Sequence, residues 1–186
     1  MSMANLTKQA IKASLMDLLE DRPYSKITVK DIVEHCGINR NSFYYHFQDI
    51  PSLIDEILQD EIDRLVEAYP SVTSVEEAMT VALQFARDHR RSVMHLYNSV
   101  ARDAYERHLW KLCEYAVRTF FHSAELADLM NDSDREILIR YYKCQLFGTV
   151  TDWLEDGMKL DMEQYNHRLF ELLEGTTQEL IRRGKA

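Results

Sequence analysis

Apolar residues recur about every 3.6 positions along nearly the whole chain, and alternation with period two is sustained nowhere, so the pattern predicts helices and no sheet. Leu6, Ala10, Ile11, Ser14, Leu15, Leu18 and Leu19 form the stripe of a first helix that must stop before Pro23. Thr28, with Asp31 three residues on, is a variant capping box that opens a short helix with Ile32 and Val33 facing inward. Gly37 stands where such a helix usually leaves through positive φ. Asn39 is an N-cap for the next short helix, Arg40 to Phe47. Pro51 lies near the start of a fourth helix, with Leu53, Ile54, Ile57, Leu58, Ile62, Leu65 and Val66 as its apolar face.

The rest is punctuated as clearly. Ser74-x-x-Glu77, Ser133-x-x-Glu136 and Asp161-x-x-Gln164 read as helix starts, and Gly157 and Gly184 as stops. Residues 91–127 read as one short and one long helix that meet near Ala101 and Arg102. The pattern predicts an all-α chain of about nine helices. Residues 1–50 form a small helical unit, 51–70 a connecting helix, and 71–186 a larger bundle.

Composition narrows the class. Five glycines and three prolines in 186 residues are too few for a turn-rich β sandwich. No window approaches the apolar length of a membrane span, and the first ten residues lack the apolar run of a secretory signal. Cys36, Cys113 and Cys144 are odd in number and widely spaced, so they read as reduced thiols of a cytoplasmic protein. The net charge of −9 resides entirely in residues 51–186, because residues 1–50 hold six basic and six acidic side chains. An acidic body repels phosphate, whereas a neutral head binds it if its cations share a face.

The stretch from Thr28 to Phe47 places two short helices around Cys36-Gly37-Ile38-Asn39, the layout of a helix-turn-helix. Phe43 and Phe47, four apart, share an inward face, which turns Asn41 and Tyr45 outward with Ser42 and Tyr44 beside them. With Arg40 at the leading edge, that face offers an amide, a hydroxyl, two phenols and a cation, groups able to bond base edges and phosphates. A helical hairpin whose tyrosines pack or meet another protein is the plainer reading of the same phase.

The segments Ile27-Thr28-Val29-Lys30-Asp31-Ile32 and Cys36-Gly37-Ile38-Asn39-Arg40-Asn41-Ser42-Phe43-Tyr44-Tyr45-His46-Phe47 resemble the N-terminal domain of the TetR family of bacterial transcriptional regulators, over about residues 6–58. More loosely, the Cys36–Arg40 turn and Gln48-Asp49-Ile50 resemble the subgroup containing regulators of dihydroxyacetone kinase operons, which leaves the ligand open. The resemblance implies that Thr28 and Lys30 approach the DNA backbone, that Arg40, Asn41, Ser42 and Tyr45 read the major groove, and that Tyr44 and His46 bond phosphates. His46 also fits a neutral helix-end residue packed on Pro51. Gln48 and Ile50 depart from the family, many of whose members carry lysines there, so one expected phosphate contact is missing.

For the C-terminal part the resemblance implies ligand binding and dimerisation. His95, Tyr97, Trp110, Tyr115, Tyr142, Cys144, Phe147 and Trp153 are the candidate effector contacts, each equally readable as core. Gly148, Thr151, Leu154, Leu169, Leu173, Thr176 and Leu180 are the candidate dimer contacts. His89, His95, His108 and His122 include no i, i+4 pair, so no metal is expected. The acidic run Asp55, Glu56, Asp60, Glu61 and Asp63 reads as a solvated face of the fourth helix. There is no GxGxxG, P-loop, GxSxG or HExxH.

The expectation is therefore a homodimeric repressor, not an enzyme, that binds a palindromic double-stranded DNA operator and answers to a small organic effector. It needs no cofactor and no membrane. The alternatives are a regulator of the same fold without an effector, controlled by a protein partner, and more remotely a helical enzyme.

Overall fold

A computed structural model describes residues 3–71, 75–122 and 130–183. Its elements are α1 (Met3–Asp21), a 3-10 turn (Tyr24–Lys26), α2 (Val29–His35), α3 (Arg40–His46), α4 (Ile50–Ala68), α5 (Val75–Asp88), α6 (Arg90–Tyr97), α7 (Arg102–Phe121), α8 (Asp132–Glu155), α9 (Met162–Leu172) and α10 (Thr176–Arg183). All regular structure among the described residues is helical, as the apolar period requires.

Packing divides the chain into two units. The first comprises Met1–Asp63 with Ala86–His108, and the second Arg64–Phe85 with Leu109–Ala186. The expected boundary near residue 71 follows chain order. The packing division instead gathers α6 with the head, where it lies against α1. In the first unit Ile11, Leu15, Leu19, Ile32, Phe43 and Leu53 are fully buried, and α1 packs on both α2 and α3. Short helices such as α2 and α3 are marginal alone, so this packing supplies most of their stability. In the second unit Cys113, Ala116, Phe121, Ile139, Val150 and Leu154 are inaccessible, and burial pushes the Cys113 thiol far up.

Three local expectations change. The cap of α8 is Asn131, whose Oδ1 accepts from the Asp134 N–H at 2.9 Å, and Ser133 lies inside the helix. Both residues are good caps, and α8 starts at the earlier one. The helix expected over 161–183 breaks between Leu172 and Thr176, where Gly175 takes φ +77°, so the described residues contain ten α-helices. The acidic run is only partly a solvated face. Glu56 and Asp60 lie 2.5 and 2.6 Å from the Lys12 ammonium, itself only 7% exposed, on α1. The Ser74 cap and the Gly184 stop lie outside the described residues.

Candidate nucleic-acid interface

The helix-turn-helix is built by local bonds that its sequence requires. Thr28 and Asp31 cap α2 reciprocally: the Asp31 N–H donates to Thr28 Oγ1 at 3.3 Å and the Thr28 N–H to Asp31 Oδ2 at 2.8 Å. The bonds from Thr28, first its hydroxyl and then its amide, with Arg22 adding less, hold the Asp31 carboxyl below the usual carboxylate range. After α2 the chain turns through Gly37 at φ +71°, and the Ile38 N–H reaches back to the Val33 carbonyl at 2.9 Å, closing a Schellman motif. Asn39 then caps α3, its Oδ1 accepting the Ser42 N–H at 2.9 Å. Ser14 of α1 braces α2, its hydroxyl lying 3.0 Å from both the Ile32 carbonyl and His35 Nδ1.

The helix ends at His46, one residue short of the expected Phe47, which is its extended C-cap; Phe43 and Phe47 are both buried, with ring centroids 5.9 Å apart. Their burial fixes the rotation of α3 and turns Arg40, Asn41, Tyr44 and Tyr45 to solvent. Tyr45 is 79% exposed and Tyr44 56%, unusual for phenols unless a partner covers them. The Tyr44 ring stands edge-on to Phe43 at 5.4 Å, and Tyr45 edge-on to His46 at 4.9 Å. Each phenol is thereby oriented by its neighbour.

The other expected contacts are placed less simply. Thr28 is exposed, but its hydroxyl is engaged with Asp31. Lys30 is exposed and 3.7 Å from Glu34, an exposed pair weak enough to yield to a phosphate. Ser42 is half-buried with its hydroxyl 3.2 Å from Asn39 Oδ1, and His46 is half-buried. Gln48 is exposed and Ile50 half-buried. The sequence reading missed the bracing role of Ser14. Its signal is a lone hydroxyl within the apolar stripe of α1.

The eight candidate effector residues fall in both units. In the first, His95 Nδ1 lies 2.6 Å from the Leu19 carbonyl, and Tyr97 is buried with its phenol oxygen accepting from Arg102 at 2.7 Å. In the second, the Tyr115 hydroxyl reaches the Tyr69 carbonyl at 3.0 Å, and Trp153 Nε1–H donates to the Leu160 carbonyl at 3.0 Å. Trp110 meets Phe147 edge-on at 5.1 Å with the Lys143 ammonium over its ring, and Tyr142 lies beside Phe121. A cleft of about 390 Å³ takes Cys144 and Trp153 from the set and adds Gly148, Leu160, Met162 and Tyr165. No cluster able to ligate a metal occurs among the described residues.

Of the candidate dimer contacts, Leu154 is fully buried within its own unit and unavailable to a partner, a correction that follows from its lying on the core side of α8 with Val150. Gly148, Leu173 and Thr176 are exposed, Thr151, Leu169 and Leu180 half-buried. The structure adds Ile137, Tyr141 and Cys144 to Gly148 as one exposed stripe along α8, with Tyr165 and Leu172 exposed on α9.

Comparison with known proteins agrees with these features. Residues 11–57 match the family model described as bacterial regulatory proteins, tetR family, and residues 73–175 match one described as a transcriptional regulator C-terminal region. An uncharacterised HTH-type transcriptional regulator of Bacillus subtilis, YxbF, is 23% identical over 172 residues, which are 88% of this chain and 43% of that protein. The transcriptional repressor KstR2 of Mycolicibacterium smegmatis is 30% identical over 92 residues, 46% of this chain and 45% of its own length. The chain thus spans less than half of either relative. Among solved structures, the dihydroxyacetone kinase operon activator DhaS shares the fold with TM-score 0.71 and 18% identity, over 91% of this chain and 95% of that one. No helix among the described residues is long and apolar enough to cross a membrane. With the helix-turn-helix and the helical C-terminal region both matched, the chain belongs to the TetR family of bacterial transcriptional regulators.

Proposed function

We propose that the chain acts as a homodimeric repressor that reads a palindromic operator with α3 and releases it on binding a small organic effector. The observation that carries this reading is the outward face of α3. Two exposed phenols, an amide and a guanidinium stand on a helix whose rotation is fixed by Phe43 and Phe47. Arg40, Asn41 and Tyr45 would enter the major groove, with Ser42 at its edge. Tyr44, His46 and Lys30 would hold phosphates, while Thr28, whose two donors are given to Asp31, would only approach the backbone. Two copies joined through the exposed stripe Ile137, Tyr141, Cys144 and Gly148, with Leu172 and Leu173, would present two such helices to a two-fold DNA site. Repression then needs only occupancy of the operator. KstR2, named a repressor, supports that sign, and DhaS, named an activator, is the contrary case.

The effector would bind in the second unit beside Trp110 or Trp153, where aromatic and polar side chains are interspersed. Its effect equals its difference in affinity between DNA-competent and DNA-incompetent states, so operator must weaken effector binding by the same factor.

Selection of operators from random duplexes by gel shift tests the reading. Tyr45→Ala should then weaken specific binding by about 1–3 kcal/mol if it makes a base contact. Tyr44→Phe should weaken all sequences alike, since a phosphate contact carries no base information. Wild-type affinity of both variants at fixed salt would remove α3 from the interface. Tryptophan fluorescence titrations with metabolite pools, with and without operator, test the effector. A regulator controlled by a protein partner would give none that couples to DNA.

A further inference from the structure

A cleft of about 260 Å³ opens within the first unit, between the 3-10 turn after α1, the first two turns of α4 and the connection from α6 into α7. Ile54 and Ala101 give it apolar walls and are almost inaccessible themselves. Val100 also lines it and is 89% exposed, so an apolar side chain stands uncovered at its mouth. The polar groups of the lining are short of partners. Asp55 has two cationic neighbours but no hydrogen bond among the described residues. Arg107 Nη2 lies 3.8 Å from its Oδ1, beyond hydrogen-bonding reach. His108 Nδ1 lies 3.9 Å away and is committed to the Ala104 carbonyl at 2.8 Å. Asp103 precedes Arg107 by four residues and shares its face of α7. Arg107 nevertheless turns to Asp55, which leaves the Asp103 carboxylate with no ion pair among the described residues. The half-buried Tyr24 completes the lining, its hydroxyl without a hydrogen bond among the same residues.

Two carboxylates against one guanidinium leave this lining with an excess of negative charge, and the net charge of −9 on the whole chain adds to it. An anion would meet only Arg107, which Asp55 already neutralises. An uncharged ligand would take water from both carboxylates and return no donor of comparable strength. An ammonium supplies the charge-assisted hydrogen bonds that Asp55 and Asp103 lack. We infer that this cleft is a small-molecule site for a monocationic amine with a compact apolar body. The ammonium would lie between Asp55 and Asp103, with the Tyr24 oxygen as a further acceptor, and the body would cover Val100 against Ile54 and Ala101. The volume falls just under the range of drug-sized pockets, roughly 300–1,000 Å³, so the body is limited to about one ring with a short arm. The site belongs to the unit that holds the helix-turn-helix, apart from the effector site proposed for the second unit, and does not rest on that reading.

Three probes of one shape separate charge from shape: phenethylamine, phenethyl alcohol and phenylacetate, which are cationic, neutral and anionic at neutral pH. Each is titrated into the isotope-labelled full chain and followed by amide chemical shifts. Phenethylamine should move the amides of Ile54, Ala101 and Ala104 and bind about tenfold tighter than the alcohol, with phenylacetate weakest. Asp55→Asn and Asp103→Asn should each weaken phenethylamine about tenfold, the scale of one hydrogen bond to a charged group, and leave the alcohol unchanged. Neither carboxylate is buried, so both variants should keep the wild-type spectrum elsewhere. Val100→Arg, which sets a cation at the mouth of the cleft on an exposed position, should abolish binding of the amine. Equal binding of amine and alcohol, indifference to both asparagine substitutions, shifts confined to the second unit, or no binding of phenethylamine at millimolar concentration would each overturn the inference.

Discussion

Replacing Gly37 by alanine isolates the cost of the turn that aims α3. Gly37 takes φ +71°, and a Cβ built on it meets nothing within 4 Å. The penalty is therefore conformational and not steric. An L-residue in the left-handed region costs about 1–2 kcal/mol, and the loss of chain freedom in the unfolded state returns about 0.4–1 kcal/mol. The net destabilisation is about 1 kcal/mol, which for a chain of this size lowers Tm by about 2–4 °C. Asparagine tolerates the left-handed region better, so Gly37→Asn should lie between wild type and Gly37→Ala. Urea unfolding measures this directly, with the midpoint moving and the slope unchanged. The variant should also weaken the bond from the Ile38 N–H to the Val33 carbonyl, 2.9 Å in the wild type, and so speed hydrogen exchange at that amide. Full wild-type stability of Gly37→Ala, or equal loss in the alanine and asparagine variants, would refute the conformational argument.

Asn39→Ala removes the cap of α3 and should cost about 1 kcal/mol in urea unfolding, with faster exchange at the Ser42 amide; unchanged exchange there would deny the cap. The Lys12, Glu56 and Asp60 group sets a pH dependence. Partial burial raises the Glu56 pKa, but bonds from Lys12 and Lys8 outweigh it and leave the carboxyl lowered. Glu56 therefore adds stability that is present above the ordinary carboxylate range and is lost as pH falls through its depressed folded value. Burial likewise pulls Lys12 down, yet Asp60 and Glu56 raise it, so its contribution holds below its ordinary range and fades as pH rises through the raised value. Lys12→Met should flatten the acid limb of a stability profile, and an unchanged limb would locate the titration elsewhere. Tyr141→Lys or Leu173→Lys should split the proposed dimer in sedimentation while each chain stays folded, because both side chains are exposed in the single chain. Folded dimers of wild-type size from both would move the interface off α8 and α9.

Much of the head was legible in the sequence because its determinants are local. A four-residue spacing buries Phe43 and Phe47 together, and that burial forces Tyr44 and Tyr45 outward whatever else the chain does. Thr28, Asn39 and Gly37 act on amides and carbonyls within a few residues of themselves, so their roles follow from type and position. Where two signals competed locally, the sequence was less decisive. Asn131 and Ser133 are both good caps, and a single glycine such as Gly175 within an otherwise helical run does not announce whether the helix breaks there. The remaining points depend on which helix lies across from which, and tertiary structure alone decided them. Leu154 follows the same period as residues read as interface, yet it is buried within its own unit. Lys12 sits in the first helix, where nothing nearby in sequence announces Glu56 and Asp60, forty-four and forty-eight positions away. Pro23 leaves the Leu19 carbonyl without a backbone donor, which the sequence does show. That His95, seventy-six residues on, supplies the donor is a fact of packing, because a helix end advertises an unmet bond without naming its partner.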